Sequence, residues 1–395
     1  MKTKITIGVF ILMLVLCAVA LALPADEQSV LNENRIPAQM PEMSLQNVFF
    51  GTFCEDFETY LSDNVGLRGR FIDFSNKISN LKGLKSFGYI SNATSDLGTG
   101  AAETDKGLLV TNGKIMEVFK AKPGSAEKYV DMVNHYAAKL PEDVKLYCMI
   151  IPTQIEFEDE KFSSLADSQK ETIDSIYEGI ADDVICVDAY SALQKHRDEY
   201  IYFRTDHHWT TLGAYYAYKE FAADAGVAAP DISSFEENKA DGFLGYLYNQ
   251  AQATELKDKP DTIYYYTKGE NLSFDAKAWE EGKVVDYSGK LFNIPTSGAE
   301  VKYSLFMGGD HSLLDVKTET QNNRTLLVLK DSYANAFMPW LVHSFQRVVA
   351  VDPRSFGGDI GEIIEEYGVT DVLLMNYTFT TTFDGIIELQ KGIYK

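Results

Sequence analysis

The chain has 395 residues, enough for one large domain or two ordinary ones, and its 45% hydrophobic and 12% aromatic content supports a sizeable buried core. A disordered chain is excluded. Lys and Arg total 36 against 58 Asp and Glu, a net charge of -22, which repels a nucleic-acid backbone or an anionic membrane surface and removes polynucleotides as partners.

At the N-terminus, Lys2 and Lys4 precede an apolar run from Ile5 to Leu23 that ends at Pro24, Ala25 and Asp26. This predicts export, with residues 1–24 acting as a signal peptide or an N-terminal membrane anchor. The run is just long enough to span a bilayer, whereas Ala20-Leu21-Ala22 resembles a cleavage site, so both forms fit. The basic end is expected to stay cytoplasmic and the bulk of the chain to face outward. Leu16 ahead of Cys17 is too large for a lipoprotein processing site.

Residues 25–104 read as a stalk followed by a helical region. Asn34, Arg35, Pro37 and Pro41 discourage regular structure between Glu27 and Pro41. From Phe49 to Leu81 apolar residues recur at helical spacing around Phe57, Leu61, Phe71 and Ile78, and the break at Gly66 suggests two helices. Ser91 to Thr104 reads as a loop.

From residue 105 to 395, short apolar runs alternate with amphipathic stretches, the pattern of an α/β domain with a parallel sheet. Strands are predicted over Gly107–Val110, Lys145–Ile151, Val184–Val187, Thr325–Leu329, Arg347–Val351 and Asp371–Met375. Helices are predicted over Ala126–Lys139, Ser168–Ala181, Thr210–Ala225, Asn335–Phe345 and Ile360–Tyr367. Between about residues 230 and 308 the pattern becomes a Tyr-rich alternation, which reads as a β-containing insertion of the kind that walls a cleft. Of the remaining cysteines, Cys54, Cys148 and Cys186 lack metal-site spacing. Cys148 and Cys186 fall on strands that can be neighbours, so either a disulfide or two free thiols fit, with free thiols preferred.

Two motifs carry chemistry. In Thr205-Asp206-His207-His208-Trp209-Thr210, residues two apart in an extended segment share a side, so Asp206 can hold the far nitrogen of His208 while Trp209 packs behind. In Leu329-Lys330-Asp331-Ser332-Tyr333, a buried strand runs into a predicted helix and lifts the Ser332 hydroxyl clear of the sheet edge, beside the N–H groups of the helix start. The blander reading makes Asp331 or Ser332 an N-cap. A serine with a histidine base points to acyl transfer. A lesser alternative is a metal-dependent site at Asp206, His207 and His208, joined by Asp310 and His311, although no helical His-x3-His spacing is present.

These two motifs, with Glu33-Asn34-Arg35 and Ile151-Pro152-Thr153, resemble the DHHW protein family of bacterial cell envelopes, which is similar in turn to the SGNH-hydrolase-like domains of alginate O-acetylation proteins. The resemblance implies a flavodoxin-like three-layer α/β/α sandwich of SGNH type with permuted motif order. It further implies Ser332 as nucleophile, His208 as general base and Asp206 as its orienting partner, with the Ser332 N–H and Asn376 holding the oxyanion. Gly357 or Gly358 would supply the glycine block, and His207, Trp209 and Tyr333 would surround the substrate. The usual Gly-Asp-Ser block reads Lys330-Asp331-Ser332 here. The expected function is a cell-surface acyltransferase or esterase that O-acetylates or deacetylates an extracellular polysaccharide. The acyl donor would arrive through a membrane-bound O-acyltransferase, and no cofactor or resident metal is needed. The alternative from another class is a non-catalytic surface protein that binds or assembles glycan.

Overall fold

A computed structural model describes residues 104–251, 256–280, 283–296 and 298–395, together with 89–95 and scattered positions before residue 89. Residues 5–22 of the apolar run and most of the stalk lie outside the described residues. Among the described residues no helix is long and apolar enough to cross a membrane. The chain divides into two units, residues 1–89 with 248–257, and residues 90–247 with 258–395. In the first, Phe53, Phe57 and Tyr60 stack along a helical segment, with Phe53 and Phe57 centroids 5.6 Å apart, and a turn follows at Gly66 and Leu67. The Gly66 break predicted from sequence falls on that turn.

In the second unit the apolar runs build one sheet, because strands buried on both faces need side chains that are apolar at every position. In chain order the strands are β1 (Tyr89–Ser95), β2 (Thr104–Thr111), β3 (Lys114–Val118), β4 (Lys145–Ile151), β5 (Ile185–Cys186), β6 (Glu236–Phe243), β7 (Asp261–Thr267), β8 (Ser273–Glu280), β9 (Lys283–Lys290), β10 (Leu313–Lys317), β11 (Thr325–Lys330), β12 (Arg347–Val351) and β13 (Asp371–Tyr377). The main sheet has the order β5-β4-β13-β11-β12-β10-β8-β9. Its first five strands are parallel, and β10, β8 and β9 extend it antiparallel.

The two-residue period of the strands sorts the core into two layers. Tyr147, Met149 and Ile151 of β4 face one side with Leu326, Val328 and Met375. Leu146, Cys148 and Ile150 face the other with Leu327, Leu329 and Leu374. The helices are α1 (Ser125–Lys139), α2 (Gln169–Gly179), α3 (Ala189–Lys195), α4 (Thr211–Ala225), α5 (Ile360–Tyr367) and α6 (Asp384–Gly392). On the first face α4 buries Ala214, Tyr218 and Phe221; on the second lie Tyr129 and Tyr136 of α1, Ile176 of α2, Ile364 of α5 and Ile387 of α6. The result is the three-layer α/β/α architecture. Helix ends follow the sequence: Thr210 caps α4 by accepting from the Gly213 N–H, and Gly226 closes it at φ 68°.

Three local expectations are corrected. Residues 107–110 do form a strand, but it belongs to a separate sheet, β1-β2-β3, where it pairs antiparallel with β3 because a hairpin turn at Asn112 and Gly113 returns the chain at once onto its neighbour. Ser91–Ser95 lies in β1 rather than in a loop. The helix predicted over Asn335–Phe345 is instead a 3-10 turn at Ser332–Ala336 and a short helix at Met338–Leu341, since Pro339 lacks the N–H that a continuous helix requires. Cys148 and Cys186 are register partners on β4 and β5, and both are free thiols.

Candidate active site

The site sits at the C-terminal edge of the parallel strands, where β11 ends at Lys330 and β13 at Tyr377. Asp331 is fully committed to shaping this edge. Its Oδ1 accepts the Tyr333 N–H (3.0 Å), and its Oδ2 accepts the Tyr377 N–H (2.9 Å) and the Thr380 hydroxyl (3.0 Å), which ties the turn after β11 to the turn after β13. Burial raises the Asp331 pKa, and the donors from Tyr377, Tyr333 and Thr380 pull against that rise. The N-cap reading of Asp331 therefore holds, and this capping turn is what presents the half-buried Ser332.

Opposite Ser332, residues 204–208 form a bend anchored by Asp261, which is fully buried. Asp261 accepts the backbone N–H of Arg204 and Thr205, the Thr205 hydroxyl (2.6 Å) and the Tyr200 hydroxyl (2.6 Å). Asp206 and His208 meet because of this bend rather than through the extended geometry inferred from their spacing. One oxygen, Asp206 Oδ1, accepts both the His208 backbone N–H (3.0 Å) and His208 Nδ1 (2.5 Å). The other, Oδ2, accepts the Tyr246 N–H at 2.7 Å. On the far side of the ring, His208 Nε2 lies 2.8 Å from Ser332 Oγ. Burial alone would raise the Asp206 pKa, but the charges of His208 and His207 and the hydrogen bonds from His208 outweigh it and hold the carboxyl well below the usual carboxylate range. Asp206, His208 and Ser332 thus form a continuous hydrogen-bonded chain.

Trp209 is fully buried behind the histidine, and its indole N–H donates to the Tyr333 carbonyl at 2.9 Å, joining the two motifs. The Tyr333 hydroxyl donates to the His207 carbonyl. Asn376 lines the same cavity as Ser332; the Tyr129 hydroxyl donates to its Oδ1 (2.9 Å), and its Nδ2 lies 3.3 Å from Asp331 Oδ2. The cavity is about 180 Å³ and is lined by His207 and Ser332 among its polar residues and by Phe383 and Ile386 among its apolar ones.

Gly357 and Gly358 are not brought to Ser332. Neither lines the cavity; Gly357 packs under the Trp279 ring and Gly358 against Phe356, where any Cβ would clash, so their lack of a side chain serves packing after β12. Asp310 and His311 are also committed elsewhere. Asp310 accepts from Lys330 (2.7 Å) and Arg354 (2.9 Å), and His311 bridges Tyr287 and the Met307 carbonyl. Asp206, His207 and His208 do keep ligand atoms within 4.8 Å of one another. Yet Asp206 Oδ1 and His208 Nδ1 are 2.5 Å apart, closer than the roughly 3.3 Å between two ligands of one tetrahedral ion. They bond each other directly.

Sequence reasoning missed four residues. Tyr303 stacks flat on His208, and Asp261 anchors the bend. Gly245 approaches so closely that an added Cβ would lie 2.3 Å from that of Asp206. Gln390 lines the cavity. Tyr303 falls in the Tyr-rich insertion expected to wall a cleft, so its region carried a signal; the other three had none.

The sequence model of the family described as "DHHW protein" matches residues 92–351. A crystal structure of a DHHW family protein from Eubacterium siraeum is similar at 30% identity and TM-score 0.64, covering 75% of this chain and 98% of that one. Bacillus cereus PatB1 bearing a sulfonyl adduct is similar at 20% identity and TM-score 0.61, covering 73% of this chain and 99% of that one. A second structure of Bacillus cereus PatB1 is similar at 19% identity and TM-score 0.59, covering 71% of this chain and 99% of that one. No curated protein matches the sequence.

Proposed function

The chain belongs to the DHHW protein family, and we propose that it is a serine-dependent acyltransferase or esterase of the cell envelope that transfers acetyl groups on an extracellular polysaccharide. The observation carrying this reading is the unbroken contact from Asp206 through His208 to Ser332, at 2.5 and 2.8 Å. In the proposed mechanism His208 Nε2 accepts the Ser332 proton as Oγ attacks the acyl carbonyl. Asp206 fixes the imidazole tautomer and stabilises the imidazolium that forms. The oxyanion is held by the Ser332 N–H and Asn376 Nδ2. Collapse releases the donor's leaving group with the proton from His208 and leaves an ester on Ser332. A sugar hydroxyl, or water, then gives its proton to His208 and attacks that ester, returning the serine.

The polysaccharide acceptor and a donor delivered by a membrane-bound O-acyltransferase follow from the resemblance to alginate O-acetylation proteins, and surface localisation follows from the apolar N-terminal run. The test is acetate release from a chromogenic acetyl ester by the purified chain, beside its Ser332→Ala and His208→Ala variants. We expect turnover by the wild type and losses of about a thousandfold in each variant. Equal inertness of three well-folded proteins that nonetheless bind glycan would favour the non-catalytic glycan-binding reading.

A further inference from the structure

The cavity beside Ser332 contains a polar side chain that the acyl-transfer steps leave unused. Gln390, on the last turn of α6, is fully buried and lines the cavity, yet among the described residues neither Oε1 nor Nε2 of its carboxamide has a hydrogen-bond partner. Its backbone is satisfied, with the carbonyl accepting the Tyr136 hydroxyl at 2.6 Å. A buried carboxamide without partners costs the full desolvation of one acceptor and two donors, a cost leucine would not incur. Such groups persist where a ligand completes them.

We propose that Gln390 is a substrate-binding residue whose carboxamide pairs with a neutral donor–acceptor pair on a sugar ring, either two neighbouring hydroxyls or an acetamido group. The inference deepens the acyl-transfer reading and rests on it only in that both use this cavity. In either sugar, one group donates to Oε1 while another accepts from Nε2. Ile386, one helical turn earlier on the same face of α6, lines the cavity with Phe383 and gives an apolar wall for the C–H face of the ring. A charged partner is disfavoured because the nearby charges already compensate each other, Lys330 with Asp310 and Arg354 with Asp310 and Asp352.

The test compares Gln390→Leu with the parent in two readouts. The first is thermal stability, where removing an unsatisfied buried amide should raise Tm. The second is calorimetric binding of a neutral hexose oligosaccharide and of an N-acetylhexosamine oligosaccharide to Ser332→Ala protein, with and without the Gln390→Leu change. A loss of affinity on the order of tenfold or more for one of the two sugars is expected, and which sugar is affected distinguishes the hydroxyl pair from the acetamido group. A fall in Tm with unchanged affinity would show a structural carboxamide and overturn the inference, as would failure of both sugars to bind. If Gln390→Leu weakens sugar binding while no ester is turned over by the wild type, the inference stands and the acyl-transfer reading fails.

Discussion

Tyr303 lies flat against the imidazole of His208, with ring centroids 3.8 Å apart and planes 9° from parallel, and its hydroxyl donates to the Ser332 carbonyl at 3.1 Å. One side chain therefore braces the base and the serine together. Tyr303→Phe keeps the stack and loses one hydrogen bond, whereas Tyr303→Ala frees the ring to rotate. We expect kcat/KM for a chromogenic acetyl ester to fall less than about tenfold for Phe and roughly a hundredfold for Ala, as an imidazole displaced by an ångström loses its alignment. Equal losses in the two variants would assign the effect to the hydroxyl.

Asp206→Asn should leave the fold intact and lower kcat by about 10³ to 10⁴, since an amide favours the wrong imidazole tautomer. The same carboxyl links stability to pH. Its pKa is depressed in the folded protein relative to about 3.9 in the unfolded chain, so its stabilisation is fully present above that value and is lost as pH falls through the folded pKa. The stability gap between wild type and Asp206→Asn, measured by urea denaturation, should close as pH falls below about 4. A gap that persists unchanged into strong acid would contradict it.

Gly245→Ala places a methyl in the space occupied by Asp206. The new Cβ would meet the Asp206 Cβ at 2.3 Å and its Oδ2 at 2.5 Å, distances that force the carboxylate away from His208. Activity should fall by about ten- to a hundredfold, with Tm lowered. Wild-type kinetics in this variant would mean the bend relaxes without moving the carboxylate.

Lys330 is a fully buried cation at the end of β11, held by Asp310 (2.7 Å) and Asn335 (2.8 Å). Lys330→Met removes one of the two cations that Asp310 holds, but this carboxylate is more than a third exposed and keeps Arg354, so the loss should stay at about 1 kcal/mol, well under that of a broken fully buried pair. The double variant with Asp310→Asn should recover a good part of that loss in chemical denaturation. Additive destabilisation by the two changes would show that the pair is not coupled.

The strands over 145–151, 325–329, 347–351 and 371–375 were legible because a strand covered on both faces must be apolar throughout, and the motifs at 205–210 and 331–332 were legible because few residue types perform their chemistry. Hidden were the relationships that depend on distant partners. The Asn112-Gly113 turn beside Gly107–Val110 points to a hairpin with the strand that follows, but nothing near it reveals that this hairpin stays out of the main sheet. Gly357, which with Gly358 the family resemblance offered for the glycine block, makes room for Trp279 from β8. Asp261, at the start of β7, resembles any exposed acid until the fold brings Thr205 and Arg204 to it across more than fifty residues.

The place of β13 in the sheet has a consequence for biosynthesis. This strand, last in sequence, lies between β4 and β11 and is their shared neighbour in the sheet. Until residue 377 has emerged from the ribosome, the β5-β4 pair and the five strands from β11 to β9 each present a long, apolar, unpaired edge. Such edges are prone to pairing with other chains, so the nascent polypeptide passes through an aggregation-exposed window that closes only when β13 takes its place.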